Sequence, residues 1–332
     1  MSRRHSDWDE DDVRVRPTRG TRPRSKVRPD FTEAIPATVI AVDRGRFTCL
    51  AEDTEVMAVR ARHLGRKGLV VGDRVGIDGP LPDNADTLVR IVSREKRRTE
   101  LRRTADDTDP TERVIVANAD QLAIVSSLAD PEPSYGFIDR CLVAAFDAGI
   151  APLLILTKSD LASPDAVLDS YPGLGFPVIT TRRLPDRTLV FDGDLVDLLS
   201  DQTTVLVGHS GVGKSTLVNA LVPDADRAVG RVNEVTGRGR HTSTSAYGFP
   251  FHGGLLIDTP GVRSFGLAHV DVERVIHAFP DLEPGTTECP RSCTHDEADC
   301  ALDDYVTQEG IDPARLASLR RLLASMRDQP PV

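Results

Sequence analysis

The sequence predicts a chain of several domains, in which an all-β unit is followed by an α/β unit and a helical tail. Three observations lead there. Short β-branched runs separated by Gly, Asp or Pro turns fill residues 35–92; from about residue 114 apolar strands alternate with helical stretches; beyond residue 268 helical stretches flank a Cys/His loop. A length of 332 residues suits two or three domains with real cores. Hydrophobic residues make up 39% and charged residues 28%, as in ordinary globular chains, whereas 5% aromatics leave few platforms for stacking on bases. No apolar run approaches the roughly 20 residues that span a bilayer, and the charged start predicts neither signal peptide nor anchor.

Residues 1–32 are expected to be a disordered basic arm, because Arg14, Arg16, Arg19, Arg22, Arg24, Lys26 and Arg28 occur there without an acid between them. Such an arm is either a solvated tail or a phosphate-seeking arm for RNA; the net charge of −10 speaks only against a uniformly basic surface. Next come five predicted strands: Ile35 to Val42, Phe47 to Leu50, Val56 to Val59, Val70 to Ile77 and Thr87 to Val92. They suit an OB-like barrel over 33–97, with an SH3-like barrel as the alternative of equal strand count. Of the five cysteines, Cys49 and Cys141 stand among apolar residues and are expected to be packed core thiols. The α/β texture runs through Val114 to Val116, Leu122 to Ser126, a helix at Ile138 to Ala148, Pro152 to Leu156, Thr204 to Val207, a helix at Lys214 to Leu221, and Leu255 to Ile257. A mostly parallel sheet covered by helices follows from that alternation. Helices at Val270 to Ala278 and Pro313 to Met326 complete the chain, and no internal repeat is visible.

Gly208-His209-Ser210-Gly211-Val212-Gly213-Lys214-Ser215 fits G-x-x-x-x-G-K-[ST] between a predicted strand and a predicted helix. Glycines let the loop turn its N–H groups inward, and the helix start adds positive potential where phosphates sit. Lys214 is expected to reach the β and γ phosphates, Ser215 to place its hydroxyl on Mg²⁺, and Thr216 to lie within reach of the α phosphate. Asp258-Thr259-Pro260-Gly261 follows the strand Leu255 to Ile257, so Asp258 can hold the magnesium through water and Gly261 can offer its N–H to the γ phosphate. Between these motifs, Gly237 to Ser245 has the polar, glycine-rich composition of a loop that a ligand orders. Thr242 or Thr244 can complete the magnesium shell there, with Thr244 favoured.

Thr157-Lys158-Ser159-Asp160 follows another predicted strand and matches the [NT]KxD element that reads guanine. The Asp160 carboxylate can accept from N1–H and from the exocyclic amine of guanine, a donor pair that adenine lacks. Lys158 is expected to lie along the base. This motif precedes the phosphate loop by about 50 residues, whereas an ordinary GTPase has it afterwards; the order is circularly permuted. Permutation is tolerable because the termini of a domain often lie close together. Cys289-x3-Cys293-x-His295-x4-Cys300 brings three thiols and one imidazole into twelve positions, a closed tetrahedral set suited to one structural zinc ion.

On these residues, with Ala117-Asn118-Ala119-Asp120-Gln121, Arg240-His241-Thr242 and Asp258 to Arg263, the chain resembles the bacterial circularly permuted GTPases of the small ribosomal subunit, the RsgA (YjeQ/YloQ) family. The resemblance covers about residues 35 to 325. It implies an OB-fold at 33–97, a circularly permuted P-loop GTPase domain at 98–267 and a helical zinc-binding domain at 268–332. It further implies ribosome-stimulated hydrolysis of GTP to GDP and phosphate during late maturation of that subunit. The expected partners are the small subunit with its rRNA and GTP or GDP; the free chain is expected to be cytoplasmic, monomeric and without membrane contact. Two departures stand out: Thr157 occupies a position where Asn is commoner, and the last base-contacting element is poorly marked around Val178 to Thr181. Val262 stands where a Ras-like enzyme carries the water-orienting Gln, so the hydrolytic group lies elsewhere. His241 is the best intrinsic candidate, and the resemblance points to the same residue; His209 has the weaker claim. Two other readings compete, a P-loop kinase or ATPase and a non-catalytic RNA-binding protein; Asp160 opposes the first and the nucleotide motifs oppose the second.

Overall fold

The computed structural model describes residues 33–43, 45–64, 68–81, 87–106, 109–171, 175–225, 246–260, 270 and 272–327. The basic arm and the positions of His241, Thr242, Thr244, Gly261, Val262 and Arg263 lie outside the described residues.

All five predicted barrel strands form: β1 (Ile35–Asp43), β2 (Arg46–Ala51), β3 (Thr54–Arg60), β4 (Arg74–Asp78) and β5 (Val89–Arg94). Strand β1 pairs antiparallel with β2 and β4, while β3 pairs parallel with β5, closing the ring β1-β2-β3-β5-β4. That closed Greek-key ring is an OB arrangement, which removes the SH3-like alternative. Alternate residues point inward, so Val39, Phe47, Cys49, Val56, Val75, Ile77 and Ile91 fill it. Burial pushes the Cys49 thiol up to about 12, as befits an inert packing residue. The fourth strand starts later than the sequence suggests. Val70 to Asp73 form a turn instead, because the buried Asp73 carboxylate accepts from the Val70 N–H at 2.8 Å and is gripped by Arg97 at 2.7 and 2.9 Å. Here the barrel meets the next unit. Asn118 donates to the Gly72 carbonyl and accepts from the Arg98 N–H, both at 2.8 Å, while Asp120 accepts from the Thr203 N–H at 2.9 Å. The Ala117 to Gln121 segment is thus a structural joint.

The second unit is a parallel sheet of β8 (Gln121–Ser127), β9 (Ala151–Thr157), β10 (Val178–Arg183), β12 (Thr203–Val207) and β14 (Gly254–Asp258), in the order β10-β9-β8-β12-β14. Antiparallel strands β11 (Leu189–Asp192) and β13 (Tyr247–Phe251) flank it, and β13 touches barrel strand β1 at Ala41. A separate ribbon, β6 (Glu100–Asp106) with β7 (Asp109–Ala117), links barrel and sheet. Both sheet faces are covered, so β8 is buried throughout. Leu122 and Ile124 face α1 (Tyr135–Ala148); Ala123 and Val125 belong to the opposite core, which holds the short helix α3 (Leu195–Leu199) and α4 (Lys214–Leu221). A one-turn helix α2 (Asp165–Leu168) lies after β9. From β8 the chain passes to β9 on one side and later returns to β12 on the other, so the sheet switches direction between β8 and β12. Ligands of open α/β sheets bind outside the carboxyl ends at such a switch.

The tail consists of α5 (Val272–His277), a 3-10 turn (Glu283–Glu288), α6 (Ala301–Glu309) and α7 (Pro313–Arg327). Phe279, Leu282, Leu302, Leu319 and Leu322 share one core with α1 and the sheet face beneath it. A polar clasp sits beside that core. Arg321 of α7 reaches both oxygens of the buried Asp139 of α1 at 3.2 Å, and Tyr171 donates to the same carboxylate at 2.7 Å. Its guanidinium lies 4.7 Å from the Tyr171 ring centroid and 5.4 Å from that of Tyr135. Burial raises the pKa of Asp139, opposed by the Tyr171 hydroxyl and by Arg321. Arg321→Ala leaves that carboxylate buried without its cation, so we expect a stability loss of about 2–3 kcal/mol at neutral pH. The loss shrinks in acid, where the carboxyl is neutral; thermal unfolding at two pH values checks both. No described helix is long and apolar enough to cross a membrane.

Candidate nucleotide site and metal centre

The carboxyl ends of β8, β9, β10, β12 and β14 carry the described parts of the nucleotide motifs. After β12 the chain turns through Gly208 to Gly213 into α4. Gly208 has no room for a side chain, since a Cβ there would stand 2.7 Å from the Val125 carbonyl oxygen of β8. Gly213 ends the loop at φ +93°, in the left-handed region that favours glycine, so the first turn of α4 begins directly at Lys214. Ser210, Gly211 and Ser215 are exposed along the rim, while Val212 is buried beneath. His209 points back, its ring 4.3 Å from that of Phe137 of α1.

Lys214 forms an ion pair with Asp258 at the end of β14, and both are largely covered. Thr259, the next residue, donates to the Leu206 carbonyl at 2.6 Å and fixes the start of that turn against β12. Thr157, at the end of β9, donates to the Val212 carbonyl inside the phosphate loop at 2.5 Å. The hydroxyl therefore ties the Thr157-Lys158-Ser159-Asp160 segment to the loop. Lys158 adopts φ +63° and its ammonium contacts the Asp130 carbonyl, in the bend that follows β8. The Ser159 N–H donates to the Thr181 carbonyl at 3.0 Å, and exposed Asp160 accepts from the Arg183 N–H at 3.1 Å. The end of β10 thus supports Asp160. Sequence reasoning missed Arg183, because it meets the turn after β9 from a strand 23 residues away whose local sequence bears no motif.

Cys289, Cys293, His295 and Cys300 bring their donor atoms within 4.8 Å of one another. The Cys289 sulfur lies 3.5 Å from His295 Nδ1 and 3.9 Å from the Cys300 sulfur, which is itself 3.9 Å from Nδ1. A zinc tetrahedron with Zn–S near 2.3 Å has edges of about 3.8 Å, so these spacings fit one ion, and Nδ1 is the imidazole donor. Burial pushes the Cys293 thiol up to about 12 and lowers the pKa of His295. Removal from water thus disfavours bare thiolates, and a bound cation supplies the missing compensation. Around the cluster, Arg320 donates to the His295 carbonyl at 2.6 Å and pairs with Asp303, while Glu297 accepts from the Thr294 N–H at 3.0 Å. The Cys₃His set can hold a metal ion such as zinc.

Residues 94–268 match the family described as RsgA GTPase. The chain belongs to that family. Its members here include the small ribosomal subunit biogenesis GTPase RsgA of Pseudomonas aeruginosa strain LESB58, 43% identical over 245 residues, covering 71% of this chain and 70% of the relative. The protein of the same name from Azotobacter vinelandii is 43% identical over 248 residues, with the same coverage. Among solved structures, YloQ, titled a circularly permuted GTPase, superposes with a TM-score of 0.62 at 23% identity over 92% of this chain and 99% of that one. YjeQ from Thermotoga maritima gives 0.61 at 24% identity, over 89% and 99%. The structural likenesses agree with the fold, and membership makes the chain a GTP hydrolase. The kinase or ATPase and non-catalytic readings fall with it.

Proposed function

We propose that the chain acts in late maturation of the small ribosomal subunit, binding that particle and its rRNA and using GTP hydrolysis, stimulated by the particle, as a conformational switch. The names of its relatives support the partner. One observation supports the site above others: the Thr157 hydroxyl bonds Val212 at 2.5 Å, which sets the base-reading segment beside the phosphate loop although the two are 55 residues apart. In this reading, Thr157, Lys158, Ser159 and Asp160 hold guanine. Gly208 to Thr216 with Gly261 hold the phosphates, and Ser215, Thr244 and Asp258 hold magnesium. Magnesium, when bound, neutralises charge on the β and γ phosphate oxygens. The ammonium of Lys214 moves from Asp258 to the phosphates, which frees that carboxylate for the metal's water shell. His241 orients the attacking water; the β–γ anhydride bond breaks, and GDP and phosphate leave. The zinc reading of the Cys₃His set and the limits 33–97, 98–267 and 268–332 complete the assignment, with the protein working as a cytoplasmic monomer when free.

The test is GTP turnover with and without purified small subunits, for the wild type and for His241→Ala. Subunits should raise wild-type turnover, and the variant should bind GTP normally but lose at least about tenfold of the stimulated rate. Unstimulated wild-type turnover contradicts the partner; normal stimulated turnover in the variant contradicts the role of His241.

A further inference from the structure

The end of β10 carries two adjacent arginines that behave differently. Arg182 leans toward Asp192 of β11, at 3.8 Å. Arg183 has no carboxylate partner for its guanidinium among the described residues; its backbone N–H holds Asp160 at 3.1 Å, and its Nη2 lies 3.4 Å from Thr216 Oγ1 in the first turn of α4. One residue therefore spans from the carboxylate proposed to read the base to the hydroxyl expected at the α phosphate. Its backbone is well held. Arg183 is paired with Leu189 across the β10–β11 hairpin, whose turn is closed by Leu184 N–H to Thr188 O at 2.9 Å and Arg187 N–H to Leu184 O at 2.8 Å. An exposed guanidinium held by one hydroxyl and by no described carboxylate is, on such a support, a ready phosphate ligand, because its planar donors match phosphate oxygens and their charge.

We propose that Arg183 is a nucleotide-binding residue whose guanidinium takes the α phosphate of the bound guanine nucleotide, while its N–H holds Asp160 in place. The inference rests on the site assignment above. It is tested by displacing a fluorescent GDP from the wild type, Arg183→Ala and Arg183→Lys with GDP, GMP, guanosine and ADP. Arg183→Ala keeps the backbone N–H, so Asp160 stays supported. It should weaken GDP and GMP alike by about tenfold and guanosine by less than about twofold, with Arg183→Lys in between. GDP and GMP within about twofold of wild type in the alanine variant would overturn the proposal. So would an equal loss for guanosine, which would move the guanidinium to the base, or a loss confined to GDP, which would move it to the β phosphate. A wild type that binds ADP as well as GDP overturns instead the underlying assignment of Asp160, a failure visible without any variant.

Discussion

Asp160→Asn should lose guanine nucleotide affinity by about 10²- to 10⁴-fold and gain affinity for xanthine nucleotides. Guanine offers two donors, N1–H and the 2-amino group, to a carboxylate that only accepts. One of the two oxygens of Asp160 already accepts from the Arg183 N–H at 3.1 Å. In the variant the amide oxygen keeps that partner, so the NH₂ group turns toward the base and meets the 2-amino group donor against donor. Xanthine carries a carbonyl where guanine carries that amine, and it accepts from the new NH₂. The exposed position of Asp160 makes loss of folding an unsuitable explanation for the change. Competition of GDP and XDP against a fluorescent nucleotide reads the switch, and unchanged GDP affinity in the variant contradicts the base-reading role.

Cys293→Ser, or exposure of the wild type to a strong chelator, should release the metal and unfold the tail. Structural zinc in small peptides contributes about 10–16 kcal/mol at neutral pH, as much as the whole net stability of a typical domain. The loop from Cys289 to Cys300 has no helix or strand of its own; Arg320 on the His295 carbonyl and Thr294 on Glu297 shape it, but the four donor atoms occupy the centre that apolar side chains would otherwise fill. Because Leu319, Leu322 and Phe279 share a core with α1, the damage should spread to the face of the sheet beneath. Metal analysis, limited proteolysis of the full chain and its unfolding temperature report the result. A metal-free variant with the wild-type unfolding temperature contradicts a structural metal.

Much of the architecture was legible because the responsible signals are local. The barrel strands are β-branched runs between turn residues, and the P-loop, Thr157 to Asp160 and Asp258 to Pro260 each follow an apolar strand. The β6–β7 ribbon escaped because Glu100 to Asp106 is charged and polar and shows no apolar alternation; only Val114 to Val116 betrayed it. Strand β10 escaped for a related reason, as Val178-Ile179-Thr180-Thr181-Arg182-Arg183 offers few apolar residues, and its partner β9 supplies the context. Contacts between distant residues were legible only where a motif links them. Arg321 and Asp139 are 182 residues apart, and neither neighbourhood hints at the other. The pairing of Lys214 with Asp258, 44 residues away, was foreseeable only from the roles both motifs play around phosphate and metal.

The convergence of Lys214, Asp258 and Asp160 on one guanine nucleotide is best tested by a crystal structure with magnesium and a non-hydrolysable GTP analogue. The base edge should lie about 3 Å from the Asp160 oxygens, with the phosphates over Gly208 to Ser215 and the Lys214 ammonium withdrawn from Asp258. A base bound away from Asp160, with the phosphates still in that loop, would contradict the account.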